Sequence, residues 1–204
     1  MSTATERVFL LSPASCSGRR AQLLLRDQAA FDLAVRLRNE GLTLGQTFSF
    51  LSGLYFRGKL AYAEQFAQVA NGMPKALVIT AGRGLMPATA IVRRDDLVEF
   101  ASIPIAPDLA AYRDPLRRDA LQLADRLGPH CQVVLLGSVA TAKYREVLGE
   151  ILADRLYFPA AFVGRGDMSR GGLMLRCVAA AQELEYIPMA GAVLRGRRPK
   201  RLDP

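Results

Sequence analysis

The chain has 204 residues, half of them hydrophobic, with 27 basic against 19 acidic side chains and a formal net charge of +8. That length and apolar content suit one substantial packed core and exclude a disordered chain. Charges or prolines interrupt every apolar run before it reaches the length of a membrane span, and three cysteines with a single histidine exclude a Cys/His zinc site.

Met1 to Arg7 leads only into the short apolar run Val8 to Leu11, which is no secretory signal, so reduced thiols in a cytoplasm are expected. Arg7 to Leu11 reads as a buried strand, and Ser12 to Gly18 as a turn-rich loop. A helical period runs from Arg19 to Arg38 and stops at Asn39-Glu-Gly41. Thr47 to Leu51 reads as a short strand, and Ser52-Gly53 opens a helix from about Tyr55 to Val69. Ala76 to Thr80 is a buried strand followed by the turn Ala81-Gly-Arg-Gly84. Four prolines punctuate Leu85 to Leu116, which predicts loops with a short strand or helix and a candidate substrate-covering insertion. A helix capped by Asp114, with Pro115 in its first turn, is predicted to run to Leu127. Gln132 to Leu136 is the next strand, Gly137-Ser138 turns into a helix over Thr141 to Leu152, and Arg155 to Phe158 is extended. Gly164 to Gly172 reads as a loop, Gly172 to Gln182 as the last helix, and Glu185 to Pro188 closes the core. Strands alternating with helices predict a single α/β domain over 1–194. Its layered, largely parallel or mixed sheet is flanked by helices. A basic tail follows over 195–204.

Of the basic residues, 23 are arginine, an excess that favours polyanionic or phosphorylated partners. Their placement suggests an anion site. Ser169 to Cys177 reads as a loop entering a helix, with Arg170 and Arg176 bracketing Gly171-Gly172. Glycines at a helix N-terminus let an anion reach unpaired N–H groups, and arginine adds a fork matched to phosphate. Ser12 to Arg20, Gly82 to Gly84, Gly137-Ser138 and Arg165 to Arg170 all follow predicted strands, where ligands of open α/β sheets sit. Phosphate contacts are therefore assigned to Arg19, Arg20, Arg83, Arg165, Arg170 and Arg176, with Gly82, Gly84 and Gly171 allowing close approach. The tail Arg195 to Arg201, with five positive charges in seven positions, adds sequence-independent attraction to nucleic acid.

Catalytic candidates are Asp167 inside the arginine-rich loop, Ser138 after a strand, and Cys16, whose neighbours Arg19 and Arg20 would favour its thiolate. His130 falls at the end of a strand opposite the proposed pocket. Asp95-Asp96 reads as a helix cap or solvated turn rather than a metal site. There is no G-x-x-x-x-G-K-[ST] loop and no G-x-S-x-G elbow, and Gly82 to Ala88 lacks the full G-x-G-x-x-G. No cofactor and no metal is expected.

Several blocks in chain order resemble those of the YaaA family, cytoplasmic bacterial proteins linked to peroxide stress. They are Leu11-Ser-Pro-Ala14, Phe50-Leu-Ser-Gly-Leu-Tyr55 with Gly58, Leu77 to Leu85, Leu136-Gly-Ser138 with Tyr144, and Arg170-Gly-Gly-Leu-Met-Leu-Arg176. Here Ser15-Cys-Ser17 intervenes before Arg19 where the family has lysine, and the family's helix-hairpin-helix element has only Gly82 to Ala88 as a counterpart. The resemblance implies a mixed α/β fold related to uracil-DNA-glycosylase-like proteins, DNA binding in a basic cleft and a role in limiting oxidative DNA damage.

The expectation is a cytoplasmic nucleic-acid-binding protein, with DNA ahead of RNA and no membrane partner, that contacts phosphates with little sequence preference. An alternative uses the same cleft for an enzyme acting on a nucleotide or nucleobase, an N-glycosidase or a base-modifying transferase. A third reading is a sensor of a phosphorylated small molecule. A slot sized for one base favours the enzyme or sensor, and a long basic groove favours the polymer binder.

Overall fold

The run Val8-Phe-Leu-Leu11 is apolar at every position because both of its faces are covered, so alternation is unnecessary. As β1 (Arg7–Leu11) it pairs in parallel with β3 (Ala76–Thr80) on one side and β6 (Gln132–Leu136) on the other. The computed structural model describes residues 6–70, 72–194 and 196. Apart from Gly196, the tail expected over 195–204 lies outside the described residues. β7 (Leu156–Pro159) continues the parallel set beyond β6. β4 (Gly84–Pro87) and β8 (Tyr186–Pro188) pair antiparallel at the two edges, giving the order β4-β3-β1-β6-β7-β8. A separate short ladder joins β2 (Leu42–Thr43) to β5 (Ile91–Val92). The fold is a single α/β domain with a mixed sheet. No helix among the described residues is long and apolar enough to cross a membrane.

Alternate residues of the central strands supply two cores. Phe9, Leu11, Val78, Val134 and Leu136 face one layer, built from α1 (Arg19–Leu24), α2 (Asp32–Asn39), α3 (Leu44–Ser52), α4 (Leu54–Phe66), α5 (Arg94–Ser102) and α8 (Asp167–Ala179). Val8, Leu10, Ile79, Val133 and Leu135 face the other, built from α6 (Ala110–Arg126) and α7 (Ala142–Leu152).

Several elements differ from expectation, each for a local reason. The helical period over Arg19 to Arg38 is broken in two. Phe31 is extended (φ −73°, ψ 149°) and stacks on Phe50, while the Arg38 guanidinium bonds the Ala29 carbonyl at 2.8 Å. Thr47 to Leu51 is helix, not strand. A capping box starts α3: the Thr43 hydroxyl accepts the Gln46 N–H and the Gln46 side chain accepts the Thr43 N–H, each at 3.2 Å. Leu44 and Phe48, four apart, then bury one helical face. The helix α6 begins at Ala110, so Asp114 is not its cap and Pro115 lies inside it. The buried stripe Tyr112, Leu116, Ala120 and Leu123 carries the helix one turn upstream of the proline. The proline-punctuated stretch over 85–116 holds more regular structure than the one short strand or helix expected, namely most of β4, then β5, α5 and the start of α6. Asp96 accepts the Arg93 N–H at the start of α5, the cap read from Asp95-Asp96.

Candidate active site

From β1 the chain crosses to β3 on one side and later to β6 on the other, so the order reverses at β1. In such sheets the crevice outside the carboxyl ends at the reversal receives the ligand. A cleft of about 410 Å3 lies there. Its walls come from Pro13 to Ser17 after β1, Ala81 after β3, Ile103 to Ile105 after α5, and Lys143 and Tyr144 at the start of α7, with Phe48 and Phe100 beneath.

Beside this cleft lies a buried polar cluster that the sequence reading did not single out. Lys59 of α4 is 0 % exposed. Its Nζ donates to the Ser12 carbonyl and to Ser12 Oγ at 2.9 Å, and sits 4.4 Å from the Tyr55 ring centre and 4.7 Å from that of Phe56. Burial of the ammonium pulls its pKa from 10.5 down to about 7, with Asp167 acting against that shift and Arg170 with it. Tyr55 presents its hydroxyl next to Arg170 and Ser12, and that buried oxygen has no hydrogen-bond partner among the described residues. Burial pushes the Tyr55 and Tyr144 hydroxyls up, and Tyr144, which lines the cleft, feels both Tyr55 and Asp167. Two buried basic groups, Lys59 and Arg170, therefore share the field of one carboxylate, Asp167, whose side chain is 66 % exposed. One signal pointed to Lys59. In the helical stripe Tyr55, Phe56, Lys59, Tyr62 and Ala63, it is the one charged residue at a core position.

The expected anion loop is not a loop. Ser169, Arg170, Gly171 and Gly172 form the first turns of α8. The Arg170 guanidinium is buried, bonding the Phe162 carbonyl through Nε at 3.3 Å and Nη2 at 3.2 Å, with Nη1 3.5 Å from Asp167 Oδ1. Gly171 serves helix packing rather than anion approach. A Cβ there would lie 2.8 Å from Tyr55 Cα and 2.9 Å from the Leu54 carbonyl, and one on Gly58 would lie 2.7 Å from the Gly171 carbonyl. The helices α4 and α8 thus cross at paired glycines, which brings Tyr55 and Lys59 up to Asp167 and Arg170.

The remaining arginines do not converge. Arg83 is held by Asp96 and Glu99 of α5. Gly82 has φ +84° and packs on Ile103. Gly84 has φ +69° and closes on Pro115 and Asp119, whose carboxylate accepts the Leu85 N–H at 2.8 Å. Arg20 bonds the Phe50 carbonyl at 3.1 Å and lines a different, more open groove. Arg19 is exposed at the start of α1. Arg165 bonds the Ala161 carbonyl at 2.9 Å and Ser169 Oγ at 3.2 Å. Arg176 is exposed in the last turn of α8, roughly 9 Å along the axis from Arg170. None of these guanidinium groups lines the cleft. Ser138 sits half-buried in the loop after β6, and His130 is exposed at that strand's other end.

Cys16 does line the cleft, but its chemistry is the reverse of that expected. Burial pushes its thiol up to about 12, and neither Arg19 nor Arg20 offsets it. Alkylation of Cys16 by iodoacetamide at pH 8, followed by peptide mass mapping, is expected to be at least about tenfold slower than that of a free cysteine, because the thiolate fraction is so small. A rate equal to the free thiol would contradict this placement.

No protein-family model, curated protein or solved structure matches the chain.

Proposed function

We propose that the protein is an enzyme whose substrate is a nucleotide or nucleobase, taken one unit at a time into the cleft outside β1, β3 and β6. One observation carries this reading: the cleft at the strand ends, of about 410 Å3, has the scale of a single small-molecule site, and the larger, more open groove lined by Arg20 and Arg57 lies elsewhere. A polymer binder needs a track of unpaired cations along its groove. The arginines assigned to that task are held inside the protein or stand away from the slot. The lining suits a flat ring with polar edges, since Phe100, Ile103 and Ile105 offer apolar walls and Ser15 and Ser17 offer hydroxyls. Lys143 at the cleft and the net charge of +8 favour a phosphorylated guest. The buried Lys59, Ser12 and Tyr55 supply the reactive groups that a sensor would not need.

Thermal shift against nucleobases, nucleosides, nucleotides, single strands and duplexes at two salt concentrations tests the reading. A mononucleotide or nucleoside is expected to raise Tm, by an amount equivalent to about 2.7 kcal/mol at a concentration 100-fold above Kd. Ser17→Trp, at an exposed position on the cleft wall, is expected to abolish that shift while leaving the unliganded Tm within about 2 °C. A shift given by duplexes alone, falling steeply with salt, would favour the polymer binder and overturn the proposal.

A further inference from the structure

We infer that Ser12 and Lys59 form a nucleophile–base pair for acyl transfer, in which Ser12 Oγ attacks the carbonyl carbon of an ester or amide and Lys59 takes its proton. The inference goes beyond the nucleotide reading, because it specifies a reaction class whatever group bears the acyl carbon. A nucleotide carrying an ester or an amide satisfies both.

Geometry carries it. Nucleophilic serines require a base within hydrogen-bond reach, and serine–lysine pairs are one solution to that requirement. Ser12 Oγ and Lys59 Nζ are 2.9 Å apart. The second bond of Nζ, to the Ser12 carbonyl, fixes the amine against the loop that carries the hydroxyl. In its neutral form the amine keeps one N–H on that carbonyl and offers its lone pair to the Oγ proton. Full burial among the Tyr55 and Phe56 rings favours this form near neutral pH. The charged and titratable groups around it are Tyr55 on its own helix, Asp167 and Arg170 on α8, and Tyr144 on α7.

Ser12, 5 % exposed, sits just behind the cleft wall rather than in its lining. Ser12 directly precedes Pro13 and Ala14, which line the cleft. Gly137 crosses over it without a side chain, and a Cβ there would come within 3.2 Å of Oγ. The Tyr55 hydroxyl, next to Ser12 and Arg170, supplies a donor and Arg170 a positive charge for a developing oxyanion. As the Oγ–C bond forms, the Oγ proton passes to Lys59 Nζ. The tetrahedral intermediate collapses with cleavage of the C–O or C–N bond, and the Lys59 proton goes to the leaving group. Water, deprotonated by Lys59, then cleaves the acyl-serine, releasing the carboxylic acid and restoring the Ser12 hydroxyl.

The test uses the whole protein and p-nitrophenyl acetate, a probe with no nucleotide, so its outcome is independent of the thermal-shift result. A burst of p-nitrophenolate stoichiometric with protein is expected, with the acetyl group mapped to Ser12 by mass spectrometry. The acylation rate is expected to rise with pH and level off above about 7. Ser12→Ala should abolish the burst, Lys59→Met should slow it by about 100-fold or more, and Cys177→Ala, away from the cleft, should leave it unchanged. Acetyl found on Cys16 or on surface lysines alone, or a burst retained in Ser12→Ala, would overturn the inference. Should Lys59→Met not fold, the wild-type pH profile and Ser12→Ala still decide.

Discussion

Lys59→Met is expected to remove a pH dependence that dominates the stability of the wild-type protein between pH 7 and 9. In the unfolded chain the lysine titrates near 10.5, and in the folded protein near 7. Between those values the unfolded state binds a proton that the folded state does not, so folding becomes more favourable as pH rises. Below pH 7 both states are protonated and the full cost of burying the ammonium is borne. The interval corresponds to about 5 kcal/mol, at about 1.4 kcal/mol per pH unit. Methionine fills a similar volume without charge, and such replacements of buried charges are neutral to stabilising by about 1–4 kcal/mol. The bare Ser12 carbonyl subtracts about 1–3 kcal/mol. Denaturant titrations at pH 6, 7.5 and 9 should show the variant matching or exceeding the wild type at pH 6 and falling behind it at pH 9. Staying at or below pH 9 limits opposition from Cys16 and Tyr62, whose unfolded forms ionise around 9.0 and 10.0 while burial holds the folded ones up near 12. Parallel pH profiles for the two proteins would show that Lys59 is charged in the fold across this range.

Gly171→Val is expected to cost about 3 kcal/mol or more, and Gly172→Ala, one residue further on, to stabilise by about 0.5–1 kcal/mol. At Gly171 the added carbon meets backbone of α4, Tyr55 Cα at 2.8 Å and the Leu54 carbonyl at 2.9 Å, and neither can yield without the helices parting. At Gly172 nothing lies within 4 Å, so alanine adds helix propensity at no steric cost. Denaturation midpoints of the two variants compared with wild type check the pair. Equal effects would mean that the helices do not cross where the structure has them.

The strands of the sheet were legible because buried parallel strands are short unbroken apolar runs, and Val8 to Leu11, Ala76 to Thr80 and Gln132 to Leu136 are all such runs. Of the four loops expected to meet at the strand ends, the one after β1 lines the cleft, whereas Gly82 to Gly84, Gly137-Ser138 and Arg165 to Arg170 do not. The error over Thr47 to Leu51 came from weighing β propensity over the Thr43-x-x-Gln46 box, which starts the helix. The error over Ser169 to Gly172 had the same root. Adjacent glycines were read as a break, whereas one of them is a contact point between two helices distant in sequence. The buried polar cluster beside the cleft was the least legible part. Ser12, Lys59 and Arg170 are brought together by the sheet and the α4–α8 crossing, and guanidinium groups that look free in a sequence acquire carbonyl and carboxylate partners on folding.

The two antiparallel strands that end the sheet bear on how this protein meets others. β4 carries Pro87 opposite Leu77, and β8 carries Pro188 opposite Tyr157. Proline offers no N–H for a further ladder, and these strands are four and three residues long. Neither margin is therefore a template for an added peptide strand or for edge-to-edge polymerisation with a second copy. At these two margins, side chains rather than main chain would have to choose any partner.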